Sequence, residues 1–160
     1  MNKVNGKKIS FAPIREDGSR ITICYGLKKL SGKLYEWLEV YLPKKQMSQL
    51  TLADVKEAII GDIDERVKAQ IIGGMKWNGK PVWYSIENQL NFTNATAPVT
   101  LKIGEQEDGT AIYEVFNTAE ELTAFCAACN AHKQSALTVG WAEKDGIDWA
   151  PYEDYFKTEE

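Results

Sequence analysis

From residue 8 to 42 apolar residues recur at every second position, and turn residues fill the gaps between the runs. Ile21, Ile23, Tyr25 and Leu27 share one face of a predicted strand, with Asp17-Gly18 before it and Ser31-Gly32 after it. Both dipeptides suit tight turns that need a positive φ. The pattern predicts a three-stranded antiparallel meander. In its third strand Leu34, Leu38, Val40 and Leu42 fall in one set, with Glu36 as the exception, and Tyr35, Trp37 and Tyr41 fall in the other. Pro43-Lys44-Lys45 ends the run.

The period then changes from two to that of a helix. Thr51 and Asp54 are spaced close to a capping box, and Leu52, Val55, Ile59 and Ile63 follow at helical intervals. Gly61 costs the interior of that helix about 1 kcal/mol relative to Ala, which predicts a bend or break there. Gly73-Gly74 is the stop signal. Next comes Trp77-Asn78-Gly79-Lys80, an Asn-Gly turn between apolar residues and a strong hairpin signal. Ser85 is placed to cap a short helical segment through Asn88 and Gln89. Val99, Leu101 and Ile103 alternate in a strand, Asp108-Gly109 turns, and Ile112 to Phe116 returns. Thr118 and Glu121 complete a capping box for a helix bearing Leu122, Phe125, Cys126, Cys129 and Ala136, expected to end near Gly140. The aromatic, acidic tail from Trp141 is expected to pack its rings irregularly against a sheet. The fold class is therefore α+β, divided into a meander with its helix over residues 1–73 and a hairpin, strand pair and second helix over residues 74–160.

Composition narrows the chemistry. The 160 residues are 44% apolar and 26% charged, with 23 acids against 19 bases, the profile of a globular domain. No stretch approaches the ~20 apolar residues that span a bilayer, and the polar N-terminus lacks the apolar run of a signal peptide. A cytoplasmic protein with no membrane partner is expected. Three cysteines and one histidine leave little catalytic material, and no nucleophile, phosphate or cofactor motif is present. Neither enzymatic activity nor a cofactor is expected. The nearest approach to a metal set is Cys126, Cys129 and His132 on one helix, but a structural zinc wants four ligands and there is no second Cys/His pair. Burial of both cysteines as small core residues explains the spacing better. The run Glu87 to Asn91 is dense in polar residues beside a Trp-rich hairpin; it suits side-chain amide binding of a small ligand or sugar, or more simply the hydrogen bonds of a turn and a helix end.

Charge is unevenly spread along the chain: residues 1–47 carry ten bases and four acids, residues 48–160 nine and nineteen. Three readings follow. A basic sheet carrying Tyr25, Tyr35, Trp37 and Tyr41 suits single-stranded nucleic acid, with Lys28, Lys29, Lys33, Lys44 and Lys45 on the phosphates. Opposite charges also favour docking between copies or on an acidic partner. The plainest reading is ordinary surface charge with the aromatics buried under the long helix.

Two stretches together resemble a known kind of module. The hairpin from Trp77 through Trp83 to Gln89, the strand pair from Val99 to Phe116, the helix from Thr118 through His132 and the ending Lys144-Asp-Gly-Ile147-Asp are similar to an uncharacterised small module of phage and prophage proteins, often at the C-terminus of tail-fibre or tail-fibre-assembly proteins. The resemblance covers roughly the last 85 residues in order. The Tyr-Glu-Trp-Leu-Glu-Val-Tyr strand resembles the companion region of such proteins from gut Bacteroides and their phages. The resemblance implies a structural or assembly protein that binds protein subunits, either its own copies as a homo-oligomer or virion components, in the producing bacterium or the virion. It brings no catalytic residues. The rings expected to supply apolar contact area are Trp77, Trp83 and Trp141, or Tyr35, Trp37 and Tyr41 on the third strand.

Overall fold

The computed structural model describes residues 2–7, 11–43 and 49–157. The fold is α+β, and its contacts gather into two compact units. One combines Met1–Asp64 with Glu143–Glu160; the other is Glu65–Ala142.

In the first unit β1 (Asn2–Lys7), β2 (Ile14–Glu16), β3 (Arg20–Ser31) and β4 (Leu34–Pro43) form one antiparallel sheet in the order β1-β4-β3-β2. The expected meander is β2-β3-β4. β1 is an addition: its polar sequence carries no strand signal, and it pairs along the outer edge of β4, Val4 opposite Trp37 and Lys7 opposite Leu34. At Gly6 a Cβ would lie 2.5 Å from the Trp37 ring, so only glycine lets the edge close over that indole. Asp17 builds the first turn by accepting from the Arg20 amide at 3.2 Å.

Register sorts the side chains to two faces. Ile14 lies opposite Ile23, Ile21 opposite Leu42 and Tyr25 opposite Leu38, so these share one face. That face looks toward α1 (Leu52–Gly73), because the Tyr25 hydroxyl donates to Asp62 at 2.5 Å and Val55, Ile59 and Ile63 are fully buried. Thr51 and Asp54 cap the helix reciprocally, each amide donating to the other's side chain. α1 runs unbroken through Gly61, where tertiary packing outweighs the local cost.

In the second unit β5 (Met75–Trp77) and β6 (Lys80–Val82) form the hairpin, with Asn78 and Gly79 both at positive φ as the Asn-Gly turn requires. Then come α2 (Ile86–Thr93), the antiparallel pair β7 (Val99–Glu105) and β8 (Ala111–Phe116), and α3 (Ala119–Asp145). The core is aromatic. Phe125 of α3 sits at its centre with Trp77, Phe92 and Phe116 around it, ring centroids 5.0 to 5.3 Å away. Backbone joins the pieces: the Trp83 amide donates to Ile103 of β7 and the Tyr84 amide to Ile72 of α1, each at 2.7 Å. Gly104 marks the crossing of β6 over β7, where a Cβ would fall 2.4 Å from the Pro81 carbonyl oxygen.

The second long helix does not end near Gly140. It continues to Asp145, and the absent side chain at Gly140 admits Val67 of α1, whose Cγ2 would lie 2.4 Å from a Cβ there. The tail, expected to be irregular, forms α4 (Ala150–Lys157), whose buried Tyr152 donates to the Cys24 carbonyl at 2.7 Å within the first unit. The division between the units falls within α1 and α3, rather than between residues 73 and 74. Among the described residues no helix is long and apolar enough to cross a membrane.

Candidate functional site

The third-strand rings do not form an open platform. Trp37 is only 2% exposed, with Phe11 edge-on at 5.9 Å, and Tyr35 and Tyr41 are half-buried. Arg20 stacks over the Tyr41 ring at 4.5 Å. The centre of this face is Glu39, a buried carboxylate that the sequence reading passed over. It accepts from the Trp37 indole at 3.1 Å and the Tyr41 hydroxyl at 2.9 Å, pairs with Arg15, and lies 3.8 Å from the Cys24 thiol. Burial alone would raise its pKa, but the bonds from Trp37 and Tyr41 and the Arg15 charge outweigh burial and hold it below the usual carboxylate value. No buried side-chain polar atom among the described residues lacks a partner, which marks the cluster as a structural network. Lys44 and Lys45 lie outside the described residues.

Cys126, Cys129 and His132 are on α3 as expected, but each is already engaged. Cys129 is fully buried and burial pushes its thiol up to about 12; Cys126 is half-buried, raised by the same cause, and points at the Phe92 carbonyl. His132 Nε2 lies 2.8 Å from the Gln70 carbonyl oxygen. Among the described residues no group of three metal-ligating side chains converges. Cys24 is also buried, its thiol pushed up to about 11 by burial. Thiols so placed stay protonated at neutral pH and make poor nucleophiles and ligands.

The most exposed large apolar side chains are in the second unit. Val82 and Tyr84 point inward, so strand alternation sends Trp83 outward, 55% exposed. Ser85 then caps α2, its Oγ accepting from the Asn88 amide at 3.3 Å. Phe92 takes the inner face of this two-turn helix, leaving Ile86 at 74% and Leu90 at 61% exposed, stacked i and i+4 on the other face. Three large apolar side chains within eight residues are thus presented to solvent. Trp83 also walls an open groove of about 620 Å³, rimmed by Glu87, Asn88, Lys102, Glu105 and Gln106, with Lys102 and Glu105 paired at 2.5 Å.

The polar run on α2 serves the fold. Asn88 Nδ2 donates to the Trp83 carbonyl at 2.7 Å, Gln89 Nε2 to the Tyr84 carbonyl at 3.2 Å, and Lys133 to Gln89 Oε1 at 2.8 Å. These bonds clamp the chain that presents Trp83. Of the other indoles expected to bind, Trp141 is exposed and Trp77 is half-buried against Phe125. Ile86 and Leu90 were hidden in the polar run; their spacing of four behind a Ser cap was the available signal.

The charge asymmetry along the chain does not separate the units. The first carries thirteen bases and fifteen acids, the second six and eight, so each is −2. The contrast lies within the first unit, between a basic sheet and acidic helical segments. No family model matches the sequence, and no curated protein and no solved structure matches it.

Proposed function

We propose that the chain is a structural or assembly protein of a phage or prophage, tail or tail-fibre associated, that works by binding other protein subunits. Its place of action is the cytoplasm of the producing bacterium and, where it is retained in the particle, the virion. The observation that carries the reading is the exposure of Trp83, Ile86 and Leu90 within eight residues, with Trp83 walling the groove, on a segment braced by the aromatic core. Large apolar side chains held rigidly in the open supply the desolvated centre of a protein interface, and the paired charges of Lys102 and Glu105 suit its rim. The phage context rests on the resemblance of the hairpin, strand pair and helix.

The competing reading, single-strand binding by the N-terminal sheet, asks for open rings on a basic face. Trp37 is buried and Tyr41 is capped by Arg20, so the stacking surface it needs is lacking and the apolar surface is favoured.

The test is binding of the purified chain to itself, by size-exclusion chromatography with light scattering, and to isolated virion subunits, with mass spectrometry of purified particles. The triple variant Trp83→Ala/Ile86→Ser/Leu90→Ser should keep the wild-type circular dichroism and lose at least tenfold in affinity. A strict monomer that binds no virion subunit and is absent from particles defeats the proposal.

A further inference from the structure

A second surface stands apart in composition. β3 and β4 extend beyond the packed part of their sheet, and along Gly26–Leu34 only Leu27 is not exposed. Gly26 and Gly32 take positive φ, one beside the register shift after Tyr25 and one in the turn. The extension therefore buries almost nothing of its own, and Leu30 and Leu34 stand 43% and 42% exposed. Lys28, Lys29 and Lys33 share it, and β1 brings Lys7 directly opposite Leu34. Among the described residues none of these four lysines is in an ion pair; the nearby Glu36, opposite Lys28, is held by Lys3 at 2.8 Å.

We propose that this hairpin tip docks on an anionic phospholipid bilayer, with Leu30 and Leu34 entering the headgroup region and the four lysines meeting lipid phosphates and carboxylates. The charge complementarity is local. At ~0.1 M salt, charges more than ~10 Å apart are screened, so the tip's own lysines rather than the chain's net −4 govern first contact. Its composition separates lipid from other polyanions. Single-stranded nucleic acid needs rings to stack on beside its cations, and the tip carries none; protein interfaces are depleted in lysine. Leucines flanked by lysines, whose long stems lie along apolar surface with the ammonium in water, match the lipid interface. The sequence alone suggests no such surface, because Lys7 joins the others only through pairing of β1 with β4.

The test is co-sedimentation of the full chain with phosphatidylcholine vesicles, with and without 30% phosphatidylserine. Binding is expected only to the serine-containing vesicles, and weaker at 300 mM than at 50 mM salt. Each lysine neutralised should lower binding about fivefold, so Lys28→Gln/Lys29→Gln/Lys33→Gln should lose roughly a hundredfold. Leu30→Ser/Leu34→Ser should weaken binding but keep its salt dependence. In Leu30→Trp, fluorescence should shift to the blue and be quenched by brominated lipid. Absence of binding to anionic vesicles, equal binding by these variants, or retention on single-stranded DNA without vesicle binding overturns the proposal. These outcomes are independent of the Trp83 surface, whose variants should bind vesicles as the wild type does.

Discussion

Glu39 offers the sharpest test of how the first unit holds together. Replacing it with Ala leaves four donors without their acceptor, and they suffer unequally; the Cys24 thiol, 3.8 Å away, is the weakest of them. The Trp37 indole N–H is buried with its ring and loses its partner outright, which costs ~1–3 kcal/mol. The Tyr41 hydroxyl is half-buried and regains water in part, adding up to ~1 kcal/mol. Arg15 has an exposed side chain and rehydrates almost freely. The expected loss for Glu39→Ala is therefore ~1–4 kcal/mol, measured by urea denaturation followed by circular dichroism. Glu39→Gln keeps one acceptor and the shape but aims an amide N–H₂ at donors, for ~1–2 kcal/mol. The pH dependence carries an independent sign. Because the folded carboxyl lies below its ordinary 4.5, its stabilisation is fully present above that value and is lost as pH falls through the folded pKa. The gap between wild type and Glu39→Gln should be widest at neutral pH and shrink below pH ~4.5. A Glu39→Ala protein within ~0.5 kcal/mol of wild type, or a gap that widens in acid, would refute the network as the anchor of this sheet face.

Two further outcomes follow from close approaches and burial. Gly104→Ala and Gly140→Ala force a methyl into the Pro81 carbonyl and the Val67 side chain and should each cost ~1–3 kcal/mol in chemical denaturation, whereas Gly61→Ala, with open space around its Cβ inside α1, should stabilise by up to ~1 kcal/mol. If all three glycines behave alike, the close contacts are not what selects glycine at 104 and 140. Cys24 and Cys129, buried with thiols pushed up to about 11 and about 12, should react with a thiol reagent at pH 8 far more slowly in the folded chain than in urea. Fast native labelling of Cys129, read by peptide mass spectrometry, would contradict the packing of α3.

What could be read in the sequence is what short-range physics controls. Both capping boxes, the Asn-Gly hairpin and the β7–β8 turn depend on residues a few positions apart, and they form as their spacing predicts. The α+β class follows from the same periodicities. What lay beyond it depends on partners distant in the chain. β1 is a strand because the edge of β4 is there to pair with, and Asn2–Lys7 alone has no reason to extend. Gly140 reads as a helix stop until Val67 occupies the space beside it. Tyr35, Trp37 and Tyr41 alternate as an open face would, yet Gly6, Phe11, Arg15 and Arg20 cover or tether that face from other strands and turns. Trp83 shows the converse: its alternation with Val82 and Tyr84 was legible, but its exposure was decided by how β6 crosses β7. Local sequence determined the elements from β2 to α3 and their order, whereas β1 needed the edge of β4. Only tertiary contact could decide which faces stay open, because solvent exposure is set by whatever the rest of the chain brings to the other side.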